Sequence, residues 1–82
     1  MIKMYGTTWC GDCKRSRAFL EEKGVEYEFI DIEENKAAMK YVEKVNKGMR
    51  TVPTVMFDDG SVLVEPSNEE LGKKLGKKLG IK

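Results

Sequence analysis

The stretch Trp9-Cys10-Gly11-Asp12-Cys13 carries both cysteines of this 82-residue chain. Two thiols at this spacing can close a small redox disulfide, supply half of a metal site or lie in the core as buried thiols. At the start of a helix, the first sulfur faces the unpaired amides of the first turn, and the helix dipole favours its thiolate. The second sulfur follows about one turn along the helix, close enough to attack a mixed disulfide that forms on the first sulfur. We therefore favour redox chemistry, with Cys10 and Cys13 as the candidate catalytic pair.

The composition excludes several other kinds of site and location. There is no histidine, which removes Cys/His nucleophile pairs and most zinc sites, and we expect no metal. No apolar run approaches the ~20 residues of a membrane span, and polar residues interrupt the first segment, so we expect no signal peptide. Two cysteines cannot build a secreted disulfide scaffold. We therefore expect a cytoplasmic protein.

The charge is uneven along the chain, although its net value is +1. Residues 71–82 hold five lysines and no acid, while residues 1–70 hold ten basic and fourteen acidic groups, a net charge of −4. A basic helix of this length is more typical of a solvated face than of a binding surface. We expect neither nucleic acid nor a membrane as a partner.

Hydrophobic periodicity and turn residues predict seven elements. Gly24 and Gly48 follow two amphipathic segments and mark their ends, and Ser67 and Glu70 have the spacing of a helix capping box. The expected strands cover residues 1–5, 25–30, 54–57 and 62–64, and the expected helices cover about 11–23, 35–47 and 68–79. The second helix is expected to turn Ala38, Val42 and Val45 inward, and the third Leu71, Leu75 and Leu79.

The order of these elements, βαβ-α-ββ-α, predicts an α/β fold. A helix between the first two strands makes them parallel, and the Asp58-Asp59-Gly60-Ser61 turn makes the last two an antiparallel hairpin. We therefore expect one domain over residues 1–82, with a four-stranded mixed sheet and helices on both faces. The cysteines then fall at the carboxyl end of the first strand, where open α/β sheets place their sites.

Motifs along essentially the whole chain resemble the glutaredoxin branch of the thioredoxin fold. The cysteine motif is followed some forty residues later by Thr51-Val52-Pro53, and Asp59-Gly60 leads to Ser67 at the last helix. Within this branch, the chain most resembles the mycoredoxin-like proteins of actinobacteria. The resemblance lies in the motifs Thr-x-Trp-Cys-Gly-x-Cys, Arg-Thr-Val-Pro-Thr-Val and Pro-Ser. This resemblance implies a thioredoxin-like fold and a thiol–disulfide oxidoreductase.

The resemblance also implies roles for single residues. Cys10 would be the nucleophile and Cys13 the resolving thiol. Pro53 would be a cis proline facing the disulfide, and the backbone of Val52 would pair with the backbone of the substrate's cysteine. We further expect these residues to contact the substrate: Trp9 as an apolar lid, Arg50 and Thr51 beside the proline, and Ser67 as a receiver of a carboxylate. For Arg50, a solvated loop charge is an equal alternative.

The expected reaction is the reduction of mixed disulfides by a monomeric protein. A low-molecular-weight thiol such as glutathione or mycothiol would be the co-substrate, and no further cofactor is needed. One alternative is a protein disulfide reductase that is recycled by a thioredoxin-reductase-like enzyme. A different class of alternative is a dimer that bridges an iron–sulfur cluster through Cys10 and external thiols.

Some positions depart from the pattern of many glutaredoxins. Thr7 stands where a Lys or Arg is frequent, Gly11-Asp12 replaces Pro-Tyr, and Val64-Glu65-Pro66 replaces the usual Gly-Gly. These departures leave the identity of the thiol open. The Asp12 carboxylate either repels a thiolate beside it or caps the helix, and both readings remain open at this point.

Overall fold

The computed structural model describes residues 1–79 of the chain. Its elements follow the expected order: β1 Ile2–Gly6, α1 Gly11–Glu22, β2 Tyr27–Asp31, α2 Lys36–Val45, β3 Thr54–Met56, β4 Val62–Val64 and α3 Asn68–Leu79. Most bounds agree with the sequence prediction to within a residue or two. Gly24 has a φ of +68°, which is the left-handed conformation expected of a residue just after a helix.

The four strands form one mixed sheet in the order β2-β1-β3-β4. β1 and β2 run parallel, and β3 is antiparallel to both β1 and β4. This arrangement confirms the predicted four-stranded sheet. Strand β2 is shorter than expected, because residues 25 and 26 precede its first paired residue, Tyr27.

Two hydrophobic cores lie on opposite faces of the sheet. Alternation along β1 shows the division, because Ile2 and Met4 face one core and Tyr5 faces the other. The larger core lies under α1 and α3 and comprises Ile2, Met4, Leu20, Val55, Phe57, Leu71 and Leu75. The smaller core lies under α2 and comprises Tyr5, Ile32, Ala38 and Val42. Helices therefore cover both faces, as predicted.

Helix α2 differs from the prediction at both ends. Asn35 is its N-cap, and the side-chain oxygen of Asn35 accepts from the Ala38 N–H at 3.0 Å. The helix ends at Val45, before Lys47 and Gly48 adopt positive φ. The expected inward position of Val45 is wrong: its side chain is 37% exposed, because it is the last helical residue and no further turn covers it.

Helix α3 spans the predicted residues and turns Leu71 and Leu75 into the larger core. The expected position of the Leu79 side chain lies outside the described part of the chain. A Cβ at Gly72 would lie 3.5 Å from Cζ of Phe19, so this glycine faces α1 within the same molecule. Within residues 1–79, no helix is long and apolar enough to cross a membrane.

Candidate active site

The register of the sheet brings four loop segments to one edge. Gly6 pairs with Asp31 in the parallel ladder, so the segments that follow β1 and β2 leave the sheet side by side. Thr54, the first residue of β3, pairs with Tyr5 and with Val64. The segment before β3 and the segment after β4 therefore lie at the same edge. This edge gathers residues 7–10, 32–35, 51–53 and 65–67, which include all the predicted site residues except Cys13 and Arg50.

Cys10 is the N-cap residue of α1. Its sulfur accepts from the backbone N–H of Cys13 at 3.3 Å, so the thiol occupies the position of a capping oxygen. An amide donor and the positive end of the helix dipole therefore both face this sulfur. The side chain is half-buried, which leaves the sulfur accessible to a disulfide.

Cys13 lies one turn further along α1 and is completely buried. Burial raises the pKa of its thiol to about 12, and a hydrogen bond with Cys10 adds to the rise, while a hydrogen bond from the Thr7 backbone opposes it. The nearby charges of Cys10 and Asp12 raise this pKa slightly further. Cys13 therefore stays protonated at neutral pH, and the two sulfurs are chemically unequal.

Gly6 makes room for the buried sulfur. A Cβ at position 6 would lie 2.6 Å from Sγ of Cys13 and 3.2 Å from Cε1 of Phe29. The sequence suggested only a turn at this glycine. Its position directly before the cysteine motif, at the end of a strand, is the signal that could have identified it as part of the site.

Two hydroxyls near the cysteines are buried without a protein partner among the described residues. They belong to Thr7, which is 3% exposed, and to Ser16, which is fully buried three residues after Cys13. Thr7 stands where many glutaredoxins have a cation, and here its backbone, not its side chain, contacts the Cys13 sulfur. Neither residue was predicted as part of the site.

Trp9 is 68% exposed, so it is not a core aromatic. Its indole N–H donates to Oε1 of Glu33 at 3.0 Å, and the backbone N–H of Glu33 donates to Oδ1 of Asp31 at 2.9 Å. The loop after β2 therefore holds an apolar surface next to the nucleophile. The exposure is consistent with the predicted lid, and Glu33 is a supporting residue that the sequence analysis missed.

The predicted proline loop is present with the expected isomer, because the Val52–Pro53 bond is cis. Pro53 is buried, and Thr51 and Val52 are half-buried. The Thr51 carbonyl accepts from Oγ1 of the buried Thr54 at 2.8 Å, which fixes the loop to the start of β3. Arg50 points away to α2, where Nε pairs with Oε2 of Glu43 at 2.8 Å. Its predicted contact with substrate remains a prediction.

Ser67 forms the predicted capping box at the start of α3. Its hydroxyl accepts from the Glu70 N–H at 3.1 Å, and its own N–H donates to Oε1 of Glu70 at 2.9 Å. Before it, the Glu65 N–H donates to the Pro53 carbonyl at 2.8 Å, which joins this segment to the proline loop. Binding of a carboxylate by Ser67 remains a prediction, and Glu65 and Glu70 were not predicted as site residues.

The structure gives Asp12 a partner. Its carboxylate lies 3.8 Å from Nε of Arg15, and the Arg15 guanidinium donates to the Pro66 carbonyl at 2.9 Å and to Oδ1 of Asn68 at 2.5 Å. Arg15 thus connects α1 to the head of α3. The Asp12 side chain is exposed, so its effect on the neighbouring thiols is weakened by solvent.

The part of the chain that the structure describes contains no cluster of candidate metal ligands. No group of three or more His, Cys, Asp or Glu side chains there is arranged to hold a metal ion. The chemistry available at this edge is that of the two thiols. A half-exposed sulfur at a helix amino terminus, with a buried protonated thiol behind it, is suited to thiol–disulfide exchange.

Comparisons with known proteins agree with this reading. The family model described as glutaredoxin matches residues 2–62. The Mycobacterium tuberculosis protein Rv3198A, whose name places it among the glutaredoxins, is 47% identical over 79 residues, which cover 96% of this chain and 94% of that protein. Mycoredoxin 1 of Corynebacterium glutamicum is 35% identical over 74 residues, with 90% and 91% of the two chains covered.

A solved structure shows the same fold. The thioredoxin-like protein BC3987, crystallised as its T8A mutant, superposes with a TM-score of 0.80 at 28% identity and covers 92% of this chain and 99% of that one. The expected thioredoxin-like fold is thereby confirmed. From its fold, its cysteine pair and its relatives, the chain belongs to the glutaredoxin family of thiol–disulfide oxidoreductases.

Proposed function

We propose that this protein reduces mixed disulfides formed with a low-molecular-weight thiol, with Cys10 as the nucleophile and Cys13 as the resolving thiol. The observation that supports this assignment is the inequality of the two sulfurs. Cys10 is half-exposed and accepts an amide hydrogen bond, whereas Cys13 is buried, with a pKa raised to about 12. The name of mycoredoxin 1 is consistent with a small thiol as the co-substrate.

The reaction consists of two exchanges. The Cys10 thiolate attacks the small-thiol sulfur of the mixed disulfide, forms a new S–S bond and expels the other partner as a thiolate. A second small thiol then attacks this bond, releases a symmetrical disulfide and returns Cys10 to its thiolate. Alternatively, Cys13 loses its proton and attacks Cys10, which breaks the bond between Cys10 and the small thiol, releases the small thiol as a thiolate and leaves a Cys10–Cys13 disulfide for later reduction. In the first route the small thiols supply the electron pair and in the second Cys10 and Cys13 do, so neither route requires a further cofactor.

Cysteine variants test which route operates. On a mixed disulfide with a small thiol, we expect Cys13→Ser to keep much of the activity and Cys10→Ser to lose all of it. On a protein disulfide, Cys13→Ser should stall as a covalent complex, because only Cys13 can expel the target. The donors to compare are glutathione, mycothiol, bacillithiol and a thioredoxin reductase system. A Cys13→Ser protein that is inactive on mixed disulfides and trapped on protein disulfides would replace this proposal with a protein disulfide reductase.

A further inference from the structure

The two unpartnered hydroxyls beside the cysteines have a cost for the folded protein. Among the described residues, neither Oγ1 of the buried Thr7 nor Oγ of the fully buried Ser16 has a hydrogen-bond partner. Such a group gives up its hydrogen bonds to water and receives none in return, which destabilises the folded state. Because nearly all buried polar groups in proteins are paired, each of these two needs a physical explanation.

Ser16 stands where an alanine would serve the helix better. The buried residues of α1 are Cys13, Ser16 and Leu20, and Ser16 comes one turn after Cys13. Alanine has the higher helix propensity and would bring no polar atom into the core. The hydroxyl of Ser16 therefore adds nothing to the stability of the helix, and its explanation lies in what it can reach.

Both hydroxyls belong to residues that adjoin the Cys13 sulfur. Thr7 contacts this sulfur through its backbone N–H, and its hydroxyl is buried in the same place. Helical residues three apart have Cβ atoms about 5–6 Å from each other, and their side chains lean towards the helix amino terminus. The Ser16 side chain thus leans towards the turn of Cys13. A hydroxyl proton rotates to meet an acceptor, so each hydroxyl can turn its donor to this sulfur.

The resolving step makes the Cys13 sulfur such an acceptor, because the thiol must lose its proton before it attacks. Burial opposes the thiolate most, and the nearby charges of Cys10 and Asp12 oppose it as well. The backbone N–H of Thr7 favours it. Since the Cys13 side chain is completely buried, further donors to the thiolate have to come from the protein.

From this placement we infer that Thr7 and Ser16 assist the resolving step, in which their hydroxyls donate hydrogen bonds to the Cys13 thiolate. The inference rests on the proposed function, because it concerns the route that ends in a Cys10–Cys13 disulfide. In that step a bond forms between the two cysteine sulfurs, and the bond between Cys10 and the small thiol breaks. The small thiol leaves with the electron pair of the broken bond and takes up a proton in place of the one that Cys13 released. The two hydroxyls keep their own protons.

Single-turnover kinetics with dithiodipyridine isolates this step. This neutral disulfide releases thiopyridone, which absorbs ultraviolet light, and one molar equivalent is mixed with the reduced protein in the absence of other thiols. Attack by Cys10 releases the first thiopyridone in a bimolecular phase. Attack by Cys13 on the resulting mixed disulfide releases the second in a unimolecular phase, whose rate does not depend on protein concentration. Cys13→Ser should show the bimolecular phase alone.

Variants assign the unimolecular phase to the two hydroxyls. Ser16→Ala and Thr7→Val should each slow it about tenfold relative to the bimolecular phase, which corresponds to the loss of one hydrogen bond to a charged sulfur. Thr7→Ser keeps a hydroxyl and should retain the rate. Thr8→Val makes the same change as Thr7→Val at an exposed neighbour, so it is the matched control and should leave both phases unchanged.

Stability measurements separate this role from a structural one. Ser16→Ala removes a hydroxyl without a protein partner, so urea denaturation should show no loss of stability. A slower unimolecular phase in an equally stable protein then reports on the thiolate and not on a weakened fold.

The outcomes also separate this inference from the proposed function. A unimolecular phase unchanged in Ser16→Ala would overturn the role of Ser16. A Thr7→Val variant that is unchanged, or no slower than Thr7→Ser or Thr8→Val, would overturn the role of Thr7. In both cases the proposed function would stand. A bimolecular phase that persisted in Cys10→Ser would overturn Cys10 as the nucleophile, and this inference with it.

Discussion

The backbone of Gly6 lies against the sulfur of Cys13, so that a Cβ at position 6 would come within 2.6 Å of Sγ. Both groups are enclosed, since Cys13 is fully buried and Gly6 lies at the end of a central strand. The resolving sulfur is thus packed directly on the sheet. This contact determines how far the sulfur is removed from water, and burial is the largest cause of its raised pKa.

We expect Gly6→Ala to destabilise the reduced protein by about 1–3 kcal/mol, because the added methyl overlaps Cys13 and crowds Phe29. Urea denaturation of the reduced protein measures the change. Cys13→Ala in the same chain removes the overlapping sulfur, so the double variant should cost less than the sum of the two single variants. Gly72→Ala is the control, since its methyl would lie at an ordinary 3.5 Å from Phe19 and should gain about 0.5–1 kcal/mol.

Alkaline pH should destabilise the reduced protein through Cys13. The pKa of this thiol is raised to about 12 in the folded state, whereas in the unfolded chain it is about 8.5. Between these two pH values the folded protein holds a proton that the unfolded chain has released. Its contribution to stability is therefore complete below the unfolded pKa and declines as pH rises towards 12, by up to about 1.4 kcal/mol per pH unit.

Comparison of the unmodified protein with Cys13→Ser isolates the contribution of this thiol to the pH dependence of stability. Burial also raises the pKa values of Tyr5 and Tyr27, and these tyrosines weaken both proteins at high pH in the same direction. The free energy of unfolding, measured by denaturant titration from pH 8 upwards, should fall more steeply for the unmodified protein. Parallel curves for the two proteins would show that Cys13 contributes nothing to the pH dependence.

The hydrogen bond from Trp9 to Glu33 should hold the exposed indole in place. Glu33→Ala removes the acceptor, and we expect lower fluorescence anisotropy of this tryptophan and a kcat/KM reduced severalfold. Stability should change by about 0.5 kcal/mol or less, because the contact is exposed. Glu33→Gln keeps an oxygen acceptor and should retain most of the anisotropy. If the alanine and glutamine variants behave alike, the charge of Glu33 matters and the hydrogen bond does not.

Arg15 should stabilise the junction of α1 and α3. Its guanidinium makes two hydrogen bonds to the segment 66–68, so Arg15→Ala should cost about 1 kcal/mol in urea denaturation. Arg15→Lys should recover little of this, because an ammonium group cannot reproduce the two-pronged geometry. Lys73→Ala, which breaks an exposed pair with Glu69 within α3, serves as the control, with an expected loss of about 0.3–0.5 kcal/mol. Equal losses for the alanine variants at Arg15 and Lys73 would contradict a special role for Arg15.

Local sequence signals predicted much of the fold. The capping box of Ser67 and Glu70 and the left-handed conformation of Gly24 depend on residues within a few positions of one another, and both are present. Val45 was predicted wrongly. Its spacing fits the inward-facing side of a helix, but α2 ends at Val45, so no further turn covers its side chain.

Only those parts of the candidate site that lie in contiguous sequence motifs were predicted. The cysteine pair and the proline loop are contiguous stretches, and the cis bond at Pro53 followed from a family resemblance. Gly6, Glu33 and Arg15 escaped prediction, because each acts through a contact that no short motif records. Arg15 reaches the carbonyl of a residue 51 positions away, and Trp9 reaches a residue 24 positions away.

The spacing of Cys10 and Cys13 by itself placed two sulfurs one helical turn apart, because the helix repeat is a property of the local backbone. Their difference in chemistry came from the tertiary structure. Cys13 is buried only because α1 lies across the end of β1, where Gly6 has no side chain. Burial, and the pKa that follows from it, depends on which surfaces meet, and these surfaces belong to segments that only the sheet and its register bring together.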